Sequence, residues 1–464
     1  MAVWYFVLEQ LLQHQPLSID LFRPALLGQA FNSMAEHLMA GQFDVDPDAI
    51  DFEAFTVGDR AVSYFGIFCA LLRLPLLPFP GLAHLDITRL SCLSAVVLGG
   101  WFQLRAVLLA RTALAPSHRR DWLTVSLVLC IMLAGQQIQF LRPTIYQEVV
   151  NWADALAMGF VYLAARGLIL ERGFDTRTLV GMAAFAGLSL LTRVSFGVGL
   201  YAALGGLLLT QWRAPGRAML PGLVLLAFAI VAGIVNHGRW GDPLMFADFT
   251  KYSLNLDVTP DRLGHLAAYG AFNPSRIWLG LSYYFVPIWG WIRPDGQLLF
   301  AETQIAMMDA MELPAGSFLV SDPFLLGLAA VGLRAVGLAA VGLPALWRSR
   351  GGINKSALVL LAGLAIPPIL MLCAISMAYR YRMEFYPILF LAALLGFRAL
   401  CRTGATGFSR PARVAIVAAV ILSVLVSHGM AALYAVSPWG SAEQYLGKDG
   451  WLGTYAPRLR AGHD

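Results

Sequence analysis

DLFRPALLGQAFNSMAEHLMAGQFDVDPDAIDFEAFTVGDRAVSYFG, residues 20–66, is a polar stretch that lies between apolar segments. Its charged residues are mostly acidic, with eight carboxylates and two arginines: Asp20, Glu36, Asp44, Asp46, Asp48, Asp51, Glu53, Asp59, Arg23 and Arg60. Nearly everything that follows is apolar. The sequence therefore predicts an acid-rich loop held by a large hydrophobic frame.

The composition indicates what that frame is. The 464 residues are 58% hydrophobic and only 13% charged, and the mean hydropathy is +0.66. Soluble domains are about 25% charged, so we predict an all-α polytopic membrane protein. The net charge of +5 is the expected load of cytoplasmic arginines. Nucleic-acid binding is not expected, since no basic stripe alternates with aromatic residues in a polar segment.

Apolar runs of spanning length recur along the chain and predict about 10–12 transmembrane helices. The runs lie at 88–110, 122–140, 149–170, 178–192, 195–212, 219–235, 322–347, 356–377, 385–400 and 412–434. Two shorter runs are predicted to be a proline-broken re-entrant or juxtamembrane element (64–80) and an aromatic interfacial segment (277–292). Residues 1–12 are too short to span, so they are either the end of a first helix whose beginning this sequence omits or a short interfacial helix.

The charges of the loops predict the orientation. With the acidic loop outside, the loops on the inside carry fourteen basic residues and only three acids: 111–121, 171–177, 213–218, 348–355 and 398–413. The resulting division is a partial first helix with the acidic loop (1–87), a helical bundle (88–235), a large outer loop (236–321), C-terminal helices (322–434) and an outer tail (435–464).

The acidic loop is the first candidate for chemistry. An amphipathic stretch at 25–40 predicts a helix on the membrane face, which could hold Asp20 near Asp44 and Asp46. Converging carboxylates can act as a general base or bind a divalent cation through oxygen. An EF-hand is not predicted, because no glycine occupies the sixth position. The alternative is a solvated surface loop.

Two further groups of polar residues lie at predicted outer helix ends. FLRPTIYQEVVNWADALAM (140–158) contains Arg142, Tyr146 and Glu148, and ionisable groups at membrane depth are functional candidates. AYRYRMEFYP (378–387) places Arg380 and Arg382 on the outer side, against the topology rule, which favours an anionic partner. Arg193 has a similar position. The alternatives are an interfacial cap and arginines that extend to lipid head groups.

The distribution of these motifs resembles the polytopic glycosyltransferases of the GT-C type, which use lipid-phosphate sugars as donors, such as the dolichyl-phosphate-mannose mannosyltransferases and the lipid A sugar transferases. The motifs are AGQFDVDP, GDRAVSYFGIFCALLRLP, RPTIYQEVVNW, LLTRVSFG, RWGDPLMF and YRYRMEFYPILFLAAL. They cover most of the chain. The sequence departs from the family where an acidic pair should follow the first helix, because Leu21 follows Asp20.

The resemblance implies roles for particular residues. Asp20 would be the catalytic base, and Asp44 and Asp46 would contribute to the acceptor or metal site; the departure at Leu21 leaves the base open among these three. The predicted substrate-binding residues, with the arginines expected at the donor phosphate, are Arg60, Tyr64, Arg142, Tyr146, Glu148, Arg193, Arg380 and Arg382.

The sequence thus predicts transfer of a sugar from a polyprenyl-phosphate donor to a lipid, glycan or protein acceptor. The reaction would take place at the outer face of a bacterial inner membrane. No cofactor is assigned, and a divalent cation is left open. A polysaccharide polymerase and a lipid or solute transporter remain as alternatives, although we find no duplicated halves of the kind many transporters have.

Overall fold

The computed structural model describes residues 20–136, 142–170, 173–210, 215–258, 261–287, 299, 301–308, 310–337, 352–402, 407–437, 439–440 and 450–461. The predicted N-terminal segment at residues 1–12 lies outside the described residues, as does most of the outer tail. In the described part, long helices make up the bulk of the chain, and the strands have only two or three residues each. The protein is an all-α polytopic membrane protein, as predicted.

The first loop folds against the bundle through helix α1 (Ala30–Met39). Its first six residues, Ala30 to Ala35, are all buried, whereas Glu36 and Met39 nearer its other end are exposed. The helix ends before Gly41, whose φ of 75° is the left-handed conformation that commonly follows a helix. The predicted helix at 25–40 is therefore present only from Ala30, and it is buried at one end rather than along one face.

Short elements complete the first loop. Helical turns at Pro47–Ile50 and Asp51–Glu53 lead into an antiparallel hairpin of β1 (Phe55–Val57) and β2 (Arg60–Val62). The hairpin also contacts a distant segment, because the Ser253 amide donates to the Ala54 carbonyl at 2.9 Å. The first loop and the segment after residue 248 therefore form one structure.

The proline-broken run at 64–80 forms short helices at Phe68–Leu71, Leu74–Leu76 and Pro80–Ala83. None is long enough to span a bilayer. This agrees with the prediction of a re-entrant or juxtamembrane element.

The bundle helices are numbered in chain order: α2 (Thr88–Thr112), α3 (His118–Leu133), α4 (Ile145–Ile169), α5 (Thr176–Leu190), α6 (Val194–Thr210), α7 (Pro215–Trp240), α8 (Asp261–Tyr269), α9 (Ile277–Phe285), α10 (Ala301–Met307), α11 (Pro323–Val336), α12 (Gly352–Leu364), α13 (Ile366–Cys373), α14 (Tyr386–Arg402), α15 (Arg410–Ala435) and α16 (Gly450–Ala461). Among the described residues, six segments are long and apolar enough to cross a membrane: Thr88–Thr112, Ile145–Ile169, Gly216–Trp240, Lys355–Cys373, Tyr379–Arg402 and Arg410–Ala435. Shorter apolar helices are α5, α6 and α11.

Three predicted spans differ from the structure in their ends or their continuity. The span at 122–140 ends early, because α3 stops at Leu133. The span at 356–377 is interrupted at Ala365 into α12 and α13, since Pro367 and Pro368 cannot donate backbone hydrogen bonds. The span at 322–347 is described only to Gly337, where a φ of 92° ends α11. Continuous apolar composition concealed the last two of these differences.

Helix α4 lies at the centre, and most of its side chains are buried around its whole circumference. Helices α2, α5 and α14 pack on it. Its N-terminal turn carries Tyr146 and Glu148, so these polar groups are held at the end of the best-packed helix of the bundle.

A small three-stranded sheet lies beside that end. Strand β3 (Ala310–Glu312) pairs in parallel with β4 (Ser376–Met377) and antiparallel with β5 (Trp439–Gly440). The interfacial run predicted at 277–292 is α9 over its described part. The sheet places Glu312 close to the segment that follows β4.

Glycines mediate the contact between α11 and α14. A Cβ at Gly332 would lie 1.9 Å from the Ala392 carbonyl oxygen, and one at Gly396 would lie 2.0 Å from that of Leu328. Gly332 and Gly396 therefore allow the two backbones to approach closely.

Gly332→Ala is expected to destabilise the protein by about 1–3 kcal/mol, since the two backbones must separate to admit the methyl group. Gly327→Ala in the same helix is the matched control, because nothing lies within 4 Å of its Cβ position. Thermal unfolding of the detergent-solubilised protein measures both. Equal melting temperatures for the two variants would contradict the packing argument.

Candidate functional site: an arginine–tyrosine cluster beside the first loop

The segment YRYRMEF forms a 3₁₀ helix, Tyr379–Phe385, between β4 and α14. Because such a helix has three residues per turn, side chains three apart share a face. Tyr379, Arg382 and Phe385 accordingly lie on one face and are all buried. Arg380 is half-buried on a different face. Two arginines only two residues apart thus have different surroundings.

Arg382 is fully buried and bound within the protein. Its Nη2 donates to Asp322 Oδ2 at 2.9 Å and to Ser321 Oγ at 2.5 Å, and its Nη1 donates to the Tyr379 hydroxyl at 2.5 Å. Its guanidinium also lies 4.1 Å from the Phe318 ring centroid. Asp322 compensates the charge, so Arg382 stabilises the bundle in this conformation.

Arg380 lies against two tyrosine rings. Its guanidinium carbon is 4.6 Å from the ring centroid of Tyr146 and 5.2 Å from that of Tyr381. Arg193 contacts the same Tyr381 ring at 5.0 Å. One tyrosine ring is therefore contacted by two guanidinium groups.

Arg193 also forms an ion pair. Its Nε donates to Glu384 Oε1 at 2.6 Å, and the Ser195 hydroxyl donates to the same oxygen at 2.9 Å. Glu384 is fully buried, whereas the Arg193 side chain is 19% exposed. Arg193, Arg380, Tyr146, Tyr381 and Glu384 are called the arginine cluster below.

Glu53, which the sequence did not single out, lies beside the arginine cluster. Its Oε1 accepts hydrogen bonds from the hydroxyls of Tyr146 and Tyr252, the latter at 2.7 Å. Burial raises the pKa of the Glu53 carboxyl, and the two tyrosine hydrogen bonds and the charge of Arg380 oppose that rise. The only sequence signal was its apolar setting in DFEAF.

Tyr64 also lies near Glu53 and the arginine cluster. It packs on Phe65 with ring centroids 4.3 Å apart. Burial raises the pKa of Tyr64 well above its ordinary value, and the charge of Glu53 raises it further while Arg380 and Arg193 lower it. Four predicted substrate-binding residues are therefore neighbours: Tyr64, Tyr146, Arg193 and Arg380.

The acids of the first loop form a separate group around His37, another residue that the sequence did not single out. His37 Nδ1 lies 2.9 Å from Asp44 Oδ1, and its Nε2 lies 3.3 Å from Asp46 Oδ1. The Ser33 hydroxyl donates to Asp46 Oδ2 at 2.7 Å. The imidazole thus bridges the two predicted catalytic carboxylates.

Electrostatics strengthens this bridge. Burial alone would lower the pKa of His37, but the hydrogen bonds to Asp44 and Asp46 and their charges outweigh it and raise the pKa above 6.5. The hydrogen bond from Ser33, and then that from His37, lowers the pKa of Asp46. The two carboxylates therefore favour the protonated form of His37 relative to a free imidazole.

The first loop offers a poor metal site. No group of three histidine, cysteine, aspartate or glutamate side chains suited to a metal occurs within the described part of the chain. Of the carboxylate oxygens that could hold a cation, both of Asp46 and Oδ1 of Asp44 are contacted by His37 and Ser33. We therefore derive no step through a metal.

Other predicted residues lie in separate places. Asp20 is exposed, and its Oδ1 accepts from the Phe22 amide at 3.0 Å. Arg60 is exposed on β2 and donates to the Gly238 carbonyl at 3.4 Å. Neither contact belongs to the arginine cluster.

Glu148 and Arg142 form ion pairs. Arg73 binds Glu148 with both ends of its guanidinium, at 2.7 and 2.9 Å, and both side chains are buried. Arg142 donates to Glu312 Oε1 at 2.8 Å, while Glu312 Oε2 accepts from the Tyr379 amide at 2.8 Å. The second pair therefore supports the start of the 3₁₀ helix that carries Arg380.

Neither a family model nor a curated protein matches this chain. Among solved structures, it is similar to the archaeal oligosaccharyltransferase AglB from Archaeoglobus fulgidus in complex with an inhibitory peptide and a dolichol-phosphate (TM-score 0.48, 12% identity, 94% of this chain and 55% of that chain). It is also similar to the Archaeoglobus fulgidus oligosaccharyltransferase in the apo form (TM-score 0.47, 12% identity, 94% of this chain and 55% of that chain). The same enzyme tethered to an acceptor peptide gives a TM-score of 0.44 and 12% identity, over 94% of this chain and 54% of that chain. The chain spans about half the length of these proteins.

Proposed function

We propose that this protein is a membrane glycosyltransferase whose donor is a sugar linked to a polyprenyl phosphate. The observation that carries the proposal is that two guanidinium groups contact one ring: the guanidinium carbons of Arg193 and Arg380 lie 5.0 and 5.2 Å from the Tyr381 ring centroid. Guanidinium groups bind phosphate oxygens well because of their planar donors and permanent charge. A site of this kind at the end of a membrane bundle suits a phosphate at the head of a lipid.

The chemistry requires two functions from the chain. The bond between the sugar carbon and the phosphate oxygen breaks, and the electron pair stays on the phosphate, where Arg380 and Arg193 stabilise the charge that develops. An acceptor hydroxyl forms the new bond to the sugar carbon, and a carboxylate removes its proton.

Asp44 is the preferred base among the three predicted carboxylates. His37 and Ser33 bind both oxygens of Asp46 but only Oδ1 of Asp44. The remaining oxygen of Asp44 could accept the proton of an acceptor, and His37 would hold the carboxylate in place. Asp20 stays a predicted alternative.

The location follows from the same proposal. Because the loops rich in arginine are expected in the cytoplasm, the first loop and the arginine cluster would face the outer side of a bacterial inner membrane. The lipid donor would reach the cluster from the bilayer. The domain division predicted from the sequence is retained as part of this proposal.

Transfer from a radiolabelled polyprenyl-phosphate sugar in proteoliposomes tests the function. We expect a covalent glycosylated product from the wild type and about a 10²–10⁴-fold lower rate for Asp44→Asn. Asp59→Asn is the matched control, since that carboxylate is exposed at the hairpin turn. Asp20→Asn and Asp46→Asn complete the set.

Three outcomes would contradict parts of the proposal. Movement of the labelled lipid across the bilayer without a product would indicate a transporter. A ladder of long products would indicate a polymerase. Wild-type activity in all three carboxylate variants would exclude the carboxylate mechanism.

A further inference from the structure

Glu53 is buried where three parts of the chain meet. It ends the helical turn Asp51–Glu53 of the first loop, and only 5% of its surface is exposed. One hydroxyl that it binds, from Tyr146, belongs to α4, and the other, from Tyr252, belongs to the segment after α7. The side chain therefore joins the first loop, the bundle and the later loop at one carboxylate.

The two carboxylate oxygens of Glu53 differ in their hydrogen bonds. Both tyrosines donate to Oε1, whereas Oε2 is buried without a hydrogen-bond partner in the described residues. A buried carboxylate oxygen without a donor is costly. Oε1 is therefore the oxygen through which Glu53 acts on its neighbours.

The two tyrosines differ in what their rings contact. The Tyr146 ring lies 4.6 Å from the Arg380 guanidinium in the arginine cluster. The Tyr252 ring instead lies 5.9 Å from Arg262 and stacks on Phe55 with centroids 4.8 Å apart. Only the Tyr146 hydrogen bond connects Glu53 to a group that would bind the donor phosphate.

We propose that Glu53 is a positioning residue for the donor phosphate: it fixes the Tyr146 ring by its hydroxyl, and the fixed ring in turn orients the Arg380 guanidinium. This inference rests on the proposed function. Glu53 itself does not touch the donor, because its oxygens are enclosed and a carboxylate repels phosphate. Orientation matters here because a guanidinium binds phosphate through planar, directional donors.

Tyr146→Phe and Tyr252→Phe form a matched pair for the test. Each removes one hydroxyl from the same Glu53 oxygen, and each keeps the ring. Because the hydrogen bond to Glu53 fixes the Tyr146 ring, we expect Tyr146→Phe to weaken donor binding at least tenfold. Tyr252→Phe is expected to weaken it less than about threefold, because its ring does not contact Arg380.

Glu53→Ala and Glu53→Gln complete the series. Glu53→Ala is expected to weaken binding as much as Tyr146→Phe, and the double variant is expected to be no weaker than Glu53→Ala alone, since both act through one contact. Glu53→Gln keeps a carbonyl that accepts the Tyr146 hydroxyl, so it is expected to restore most of the affinity. Because Gln would also restore a merely structural joint between the loops, the comparison that separates the two roles is that of Tyr146→Phe with Tyr252→Phe.

Two readouts are measured on the full-length purified protein: direct binding of undecaprenyl phosphate by scintillation proximity, and KM against kcat in the transfer assay. We expect KM and the dissociation constant to rise together while kcat changes less than about threefold. Equal effects of Tyr146→Phe and Tyr252→Phe, or no effect of either, would overturn the positioning role alone. A wild type that binds no undecaprenyl phosphate would overturn the proposed function as well.

Discussion

Arg380→Ala is expected to lower kcat/KM for a polyprenyl-phosphate sugar by about 10²–10³-fold. The substitution removes one preorganised cationic donor from the place where the leaving phosphate gains charge, and a single such donor contributes on that scale. The kcat/KM of Arg380→Lys should lie between those of the wild type and Arg380→Ala. An ammonium keeps the charge, but it loses the planar donors and the contacts of the guanidinium with the Tyr146 and Tyr381 rings. Steady-state transfer kinetics in proteoliposomes measure all three proteins.

Lys251→Ala is the control for loss of a nearby positive charge. Lys251 lies in the loop after α7, where its ammonium pairs with Asp248 at 3.3 Å, and it is well exposed. Exposed pairs of this kind contribute little, so we expect a rate within about twofold of the wild type. If Arg380→Ala is no slower than Lys251→Ala, Arg380 does not bind the donor phosphate. Thermal unfolding of each variant separates a catalytic loss from a folding defect.

Glu148→Ala is expected to destabilise the fold by about 3–5 kcal/mol, because it leaves a buried arginine without its counter-ion. The Arg73 side chain is 1% exposed, and it binds both Glu148 oxygens and the Asn32 side chain. The substitution therefore affects α4, α1 and the broken helix at Phe68–Leu71 together. Thermal unfolding in detergent, with yield from the membrane fraction, measures the effect.

Glu36→Ala is the matched control for this pair. Glu36 lies 3.8 Å from His84, and both side chains are exposed, so removing it should cost less than about 1 kcal/mol. The double variant Arg73→Met with Glu148→Leu should recover much of the stability lost in Glu148→Ala, since no unpaired charge remains. A Glu148→Ala variant as stable as Glu36→Ala would show that the buried pair does not hold these elements together.

The sequence predicted which parts of the chain are helical with good accuracy. Apolar runs near twenty residues long have few alternatives to a helix in a bilayer, where every backbone group must be bonded internally. The errors were local. Pro367 and Gly337 interrupt or end helices inside apolar runs, and the hydropathy of a run does not register them.

The sequence predicted the site less completely. Tyr146, Arg193 and Arg380 were selected because charged and aromatic groups cluster at helix ends, and the structure brings them together. Glu53 and His37 were not selected, because nothing in the sequence distinguishes one acid of the loop from its seven neighbours or marks a single histidine in an amphipathic helix. The structure identifies Glu53 by the hydroxyls of Tyr146 and Tyr252 that donate to it. It identifies His37 by its contacts with Asp44 and Asp46.

The partners of the buried arginines could not be predicted from the sequence. Arg193 pairs with Glu384 from 191 residues away, Arg142 with Glu312 from 170, and Arg73 with Glu148 from 75. Such partners are chosen by how the helices pack. The sequence shows where the arginines are, but it does not show which carboxylate each of them contacts.

The residues 20–66 determined by themselves that an acidic loop with one helix sits on a membrane bundle, because composition and periodicity are local properties of a chain. Only the tertiary structure decided that Arg382 is enclosed with Asp322 while Arg380 lies half-buried against Tyr146 and Tyr381. The reason is geometric: a 3₁₀ turn rotates residues two apart onto different faces, and the surroundings of each face come from distant segments.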